Sequence, residues 1–325
     1  MDSRRVARLL DVKEILLMMA EETRRRGLPV PVKPEIIHEW SEGLDLPREG
    51  DALLYTGGLY QLMPYINAMV RYLERLEGSR ASGLLLRAAR RLKLTDLAGV
   101  FAKPSKAEVE YSRRVLRAIV ELLAEAGVRI AYRPDVDGYS GVLLYDLGLE
   151  EVFQEHASRV YKALKGAGAS LVVTVDPHTT HVLREVYPEY IDGFDLEVKS
   201  YLEVLDEKGY KPVSGRGEGE LVIHDPCLYA RGLGIIAQPR RLLAGAGYRV
   251  VEPKRSGRMT YCCGGPIESI APRLSRRIAE ARFRELRERG RRIVTLCPIC
   301  YANLSRVADD AEVIDISLLL AGERD

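Results

Sequence analysis

Short apolar runs rich in β-branched residues fall at 53–56, 128–132, 171–175, 221–224, 248–252, 293–296 and 312–316. They alternate with longer stretches of helical periodicity, among them 111–126, 151–166 and 269–289. Runs this short suit buried strands, whereas apolar positions recurring at three- and four-residue intervals give a helix one buried face. The alternation predicts an α/β fold of parallel strands joined by crossover helices. In such sheets ligands gather beyond the carboxyl ends of the strands, so chemistry is expected in the segments after 221–224 and 293–296.

The pattern occurs twice. Leu242-Leu243-Ala244-Gly245-Ala246-Gly247 echoes Leu122-Leu123-Ala124-Glu125-Ala126-Gly127 at an offset of 247 − 127 = 120. Val294-Thr295-Leu296-Cys297-Pro298 echoes Val173-Thr174-Val175-Asp176-Pro177 at 297 − 176 = 121, and Ile314-Asp315-Ile316 is aligned with Phe194-Asp195-Leu196 at 120. Upstream, Gly58-Leu59-Tyr60 matches Cys227-Leu228-Tyr229 at 227 − 58 = 169, so the first copy carries an insertion near 70–118. Two tandem pseudo-symmetric domains are predicted, each a small parallel sheet flanked by helices, the first with a helical insertion. Residues 1–48 form an N-terminal extension, 49–205 the first domain and 206–325 the second.

The chain has 325 residues, 46% hydrophobic and 30% charged, a balance that supports real cores. Its net charge of +2 gives no ground for nucleic acid as the main partner. Residues 1–26 interleave apolar and charged positions, unlike a signal or anchor, and nowhere do about 18 apolar residues run together, so no membrane span is expected. A cytoplasmic location follows as the expectation.

All five cysteines lie in the last third, as Cys227, Cys262-Cys263-Gly264 and Cys297-Pro298-Ile299-Cys300. Their separations, 262 − 227 − 1 = 34 and 297 − 263 − 1 = 33 residues, bring three sulfur-bearing turns together on loops of nearly equal length. Thiolates in this number suit a soft metal, as iron–sulfur, zinc or copper, and serve magnesium or calcium poorly. The odd count and the vicinal pair disfavour disulfides. Zinc in a closed tetrahedral site is the alternative occupant, in a protein that only binds partners, but it has no use for a fifth thiolate.

With the sequences His224-Asp225-Pro226-Cys227, Cys262-Cys263-Gly264-Gly265 and Cys297-Pro298-Ile299-Cys300, the chain resembles the Cys-Cys-Gly, or cysteine-rich, domain family. That family includes heterodisulfide reductase subunits B and D and the iron–sulfur subunits of glycolate oxidase, lactate utilization and anaerobic glycerol-3-phosphate dehydrogenase complexes. The resemblance spans roughly residues 50–325. It implies that Cys227, Cys262, Cys263, Cys297 and Cys300 ligate one 4Fe–4S cluster, noncubane in the heterodisulfide reductases. It also implies an electron-transferring oxidoreductase subunit whose partner is a flavoprotein or ferredoxin-like redox subunit. Small disulfides or 2-hydroxy acids would then be met through the complex, and any membrane association would come through a partner.

The first copy departs from the motif at every ligand. Gly58, Tyr139-Ser140-Gly141 and Asp176-Pro177-His178-Thr179 stand where the second copy has sulfur, so a five-thiolate cluster is excluded there. The sequence contains no Cys-x-x-Cys-x-x-Cys-x-x-x-Cys ferredoxin motif, and cubane clusters are expected on another subunit. Asp176, His178 and His181 stand open as metal or substrate contacts, or as residual polar packing around a vacated pocket. His224 has two readings, a donor to a cluster sulfur or a turn-stabilising residue. Gly264, before the helix near 268–289, is read as bringing helix-start amides to the cluster charge. Gly57-Gly58 is read as turn geometry, the arginine-rich helix as a solvated face, the block 83–100 as a candidate docking element, and His38 and Trp40 as packing on the first domain.

Overall fold

Eight strands form two four-stranded, all-parallel sheets in the computed structural model, which describes residues 10–79, 82–92, 103–212 and 218–322. Strands β1 (Ala52–Tyr55), β2 (Ile130–Tyr132), β3 (Leu171–Thr174) and β4 (Glu197–Ser200) make the first sheet, in the order β2-β1-β3-β4. Strands β5 (Glu220–His224), β6 (Arg249–Val251), β7 (Arg292–Thr295) and β8 (Glu312–Asp315) make the second, in the order β6-β5-β7-β8. The fold is therefore the two-sheet α/β architecture the periodicity predicts.

The identical order is what a duplication produces, and the pairing register fixes the correspondence. Tyr55 pairs with Thr174, and His224 with Thr295, which reproduces the offset of 224 − 55 = 169. At the last strand the alignment needs correction. Thr174 pairs with Ser200 and Thr295 with Asp315, so Asp315 corresponds to Ser200, at 315 − 200 = 115, and not to Asp195. Both residues cap the helix that follows, Ser200 accepting from Leu202 N–H and Asp315 from Ser317 N–H. Strand β4, Glu-Val-Lys-Ser, was not among the seven predicted strands. As an edge strand it buries only alternate side chains, so its composition is half polar.

Helices cross between the strands where predicted. Lys106–Glu125 begins in a capping box of Ser105 with Glu108 and buries Val115, Leu116, Ile119, Leu122 and Leu123 against the sheet. Each such aliphatic contributes about 1.5–3 kcal/mol. Pro272–Arg287 buries Ala279, Phe283 and Leu286 and lies on Leu59–Leu76 of the first half, where Glu77 caps it by accepting from Arg273 N–H at 2.9 Å.

The two halves exchange reciprocal bonds. Tyr60 O–H donates to Asp315 Oδ2 at 2.6 Å, and its equivalent Tyr229 meets Ser200 Oγ at 2.7 Å. Each tyrosine thus reaches the cap residue of the opposite half, the relation a pseudo-twofold axis requires. Tyr111 and Tyr301 stack across the same seam at 4.1 Å.

The N-terminal segment forms a helix, Val12–Arg26, and two 3-10 turns, Pro34–Ile37 and Glu39–Ser41. Trp40 is buried edge-on against Tyr132, and His38 Nδ1 lies 3.4 Å from Tyr132 Oη, as packing predicts. Of the predicted docking element, Ser82–Arg91 is helical and leaves Leu84 and Leu85 exposed, while Arg90 bonds Glu14 at 2.7 Å on the first helix. Its remainder, 93–100, lies outside the described residues. Among the described residues no helix is long and apolar enough to cross a membrane.

Candidate metal centre

The three cysteine-bearing turns of the second half converge at the carboxyl ends of β5 and β7. Cys227 follows β5 and starts a π-helical turn, Leu228–Leu233. Cys297 follows β7 as the N-cap of helix Pro298–Ser305, which presents Cys300 one turn later. The Cys262-Cys263 loop is tied to the first turn by Asp225. That carboxylate is gripped by Arg240 at 2.8 and 2.9 Å and accepts from Gly257 N–H at 2.7 Å, while its carbonyl accepts from Thr260 Oγ1 at 2.8 Å. Buried charge pairs of this bidentate form hold geometry firmly.

Glycine is required where the loop turns in. A Cβ on Gly264, at φ 97°, would lie 2.5 Å from Ser275 O, and one on Gly265 would lie 2.2 Å from Ile299 Cγ2. The Gly264 amide donates to Cys262 Sγ at 3.3 Å. The expectation for Gly264 needs amendment here, because the arginine-rich helix starts only at Pro272. The helix whose first turn meets sulfur is Pro298–Ser305, through the Cys300 amide on Cys297.

The five thiols form an unbroken series of contacts, Cys227 to Cys262, Cys262 to Cys263, Cys263 to Cys300 and Cys300 to Cys297. Cys263, Cys297 and Cys300 are buried, and Cys227 and Cys262 are partly exposed, so the group opens to solvent on that edge. Mutual contact splits their acidities. The Cys227 and Cys263 thiols draw Cys262 down to about 2, and Cys227, Cys263 and Cys300 are pushed up by neighbouring thiols and by burial. At Cys297 burial opposes the thiolate, but Cys300 and His178 outweigh it and bring the group down to about 5. Five thiolates cannot coexist in this space without cations, and neutralising them is what bound iron or another soft cation does. The donor set fits a thiolate-held cluster.

Cys263, Cys300 and His224 also place one donor atom each within 4.8 Å of one another. His224 accepts at Nδ1 from Arg282 Nε at 3.1 Å, and its buried Nε2 has no hydrogen-bond partner. Arg282 is fully buried, contrary to the expectation of a solvated arginine face. The periodicity carried that signal, since Ser275, Ala279, Arg282 and Leu286 share one helical stripe, but counting arginines obscured it.

The first half closes over the equivalent position. A Cβ on Gly57 would lie 2.1 Å from Thr179 Oγ1, Thr179 Oγ1 meets Ser140 Oγ at 3.3 Å, and Ser140 N–H donates to Gly57 O at 3.1 Å. The vacated pocket is thus filled by hydroxyls, and the positive φ of Gly57 and Gly58 serves the turn. The turn-to-loop tie recurs with donor and acceptor exchanged, Thr56 N–H and Oγ1 both donating to Asp137 at 2.8 Å.

Asp176 caps its helix, accepting from His178 N–H and Thr179 N–H at 2.8 and 2.9 Å, and burial raises its carboxyl to about 6. His178 does leave its own half. Its ring contacts Cys297, and Nδ1 lies 3.4 Å from Asp146 Oδ2. Burial works against its charged form, but Asp146 and Cys297 together raise its pKa. His181 is half-buried against the turn after Cys227, its Cδ2 3.0 Å from where a Gly232 Cβ would sit. Asp146 is a contact the sequence did not single out.

Residues 221–305, which contain all three turns, match the cysteine-rich domain family CCG. This segment is a CCG domain. The chain is 32% identical over 230 residues to a probable membrane-anchored ferredoxin of Chromohalobacter salexigens, covering 66% of this chain and 34% of that protein. It is 30% identical over 217 residues to an EtfAB:quinone oxidoreductase of Syntrophomonas wolfei, covering 62% and 30%. It is 26% identical over 186 residues to a component of the dihydromethanophenazine:CoB–CoM heterodisulfide reductase of Methanosarcina acetivorans, covering 53% and 45%. The chain thus spans about a third to under half of the length of these relatives, which are iron–sulfur proteins and oxidoreductases. Their alignments, 186 to 230 residues long, are longer than the segment 221–305 that matches the CCG family.

Proposed function

We propose that this protein is an iron–sulfur electron-transfer subunit of an oxidoreductase assembly. Cys227, Cys262, Cys263, Cys297 and Cys300 hold one 4Fe–4S cluster, in the noncubane form that the resemblance to heterodisulfide reductases implies. The observation that carries the reading is the unbroken contact of all five thiols, which leaves none to spare. The bound cluster supplies one-electron storage. The chain's own residues bury three of the thiols and leave Cys227 and Cys262 at the solvent edge, where electrons cross to a flavoprotein or ferredoxin-like partner. Small disulfides or 2-hydroxy acids are handled by the assembly. The two sheets support a division into domains 49–205 and 206–325, with the first half a cysteine-free support that contributes His178. The assembly works in the cytoplasm, with any membrane contact made by a partner.

Anaerobic purification followed by iron, acid-labile sulfide and zinc analysis tests this. The expected result is about four irons with sulfide per chain, lost on Cys263→Ala or Cys297→Ala and retained in His181→Ala. Stoichiometric zinc without sulfide would establish the zinc-site alternative instead.

A further inference from the structure

The imidazole of His224 sits between the group of thiols and one buried cation, and that placement decides which of its nitrogens carries a proton. We infer that His224 is a hydrogen-bond donor to the Cys263 and Cys300 side of the metal centre rather than a ligand, and that Arg282 is the positioning residue that fixes it so. The inference rests on the iron–sulfur reading above and deepens it.

A guanidinium only donates, so Nδ1, which receives Arg282 Nε–H at 3.1 Å, must offer a lone pair. A neutral imidazole has one N–H, which is then on Nε2. A doubly protonated ring is excluded by the same contact, since two N–H groups would face each other. With its proton on Nε2 the ring has no lone pair left for a metal, although geometry alone places it in a three-donor group with Cys263 and Cys300. Nε2 is buried and has no hydrogen-bond partner, and Cys263 and Cys300 place their sulfurs within 4.8 Å of a ring nitrogen, so sulfur is the acceptor on offer.

Arg282 is itself held on both sides. Its Nη1 donates to Arg255 O at 3.0 Å and to Glu285 Oε2 at 3.1 Å, which fixes the guanidinium and hence the ring. A donor to sulfur favours the more negative, reduced state of a cluster and raises its reduction potential. The first half has no counterpart, because Tyr55 occupies the position equivalent to His224.

The test uses the full chain with its cluster, prepared anaerobically. Redox titration followed by electron paramagnetic resonance should give a lower midpoint potential for His224→Phe and for Arg282→Met at unchanged iron content. The double variant should shift by less than the sum of the two single variants, because both changes remove the same bond. An unchanged or raised midpoint in His224→Phe would overturn the inference. The unmodified protein gives a second readout that needs no variant to fold. After exchange into deuterium oxide, double-resonance spectra should show an exchangeable deuteron and only weak imidazole nitrogen coupling. Strong nitrogen coupling would make His224 a ligand and overturn the inference while leaving the cluster reading intact. Absence of iron and sulfide from the unmodified chain would overturn both.

Discussion

Removing the hydroxyl of Tyr60 probes the seam that holds the two halves in register. Tyr60 O–H donates to Asp315 Oδ2 at 2.6 Å, while Oδ1 accepts from Ser317 N–H and Oγ. In Tyr60→Phe a buried carboxylate oxygen loses that donor, at a cost of about 2–3 kcal/mol when the group is ionised. The pseudo-equivalent change, Tyr229→Phe, removes a bond between two neutral hydroxyls and costs about 1 kcal/mol. Burial raises Asp315 to about 6, against the downward pull of Tyr60 and Ser317. An acid whose folded pKa lies above its unfolded value contributes stability that is fully present below about pH 3.9 and lost as pH rises through the folded value. Removing the Tyr60 donor raises that value further, so the penalty of the variant grows with pH. Urea unfolding of samples with matched iron content should show Tyr60→Phe losing about 1 kcal/mol at pH 5 and about 2–3 kcal/mol at pH 8. A pH-independent loss, or a loss in Tyr229→Phe equal to that in Tyr60→Phe at pH 8, would refute the reasoning.

Two glycines with similar backbone angles should separate close approach from conformation. Gly57→Ala and Gly127→Ala share positive φ, 65° and 72°, but a Cβ meets Thr179 at 2.1 Å in the first and nothing within 4 Å in the second. Thermal unfolding should show Gly127→Ala costing about 1–2 kcal/mol and Gly57→Ala clearly more. Asp137 is raised to about 7 by burial, so the protein should lose stability as pH rises from about 4 to about 7. Asp137→Asn should remove up to about 1.4 kcal/mol per pH unit of that slope in urea titrations, and an unaltered slope would count against the burial assignment.

The asymmetry between the halves follows from small changes at three turns. Where the second half has Cys227, Cys263 and Cys300, the first has Gly58, Ser140 and Thr179, side chains short enough for the turns to close on one another. The topology survives because β1 to β4 rest on buried aliphatics that do not depend on the sulfurs. His178, two residues past the Cys297-equivalent Asp176, is free to turn toward the other half and meet Cys297.

The sequence by itself determined the alternation of strands and helices, the duplication and the sulfur-bearing turns, because apolar periodicity and thiol chemistry are local properties of a chain. It also excluded a five-thiolate site from the first half, since no geometry turns Asp176 or Thr179 into sulfur. What it did not carry was every fact that depends on two distant segments meeting. Strand β4 is half polar and becomes a strand only by pairing with β3. Arg282 resembles its arginine neighbours until the helix places it against His224, a partner 58 residues away in sequence. The reciprocal bonds of Tyr60 and Tyr229, and the passage of His178 to Cys297, cross from one half to the other. Hydrogen bonds and desolvation act at a few ångströms irrespective of chain separation, so only the packed structure decides which nitrogen faces sulfur and which carboxylate is buried.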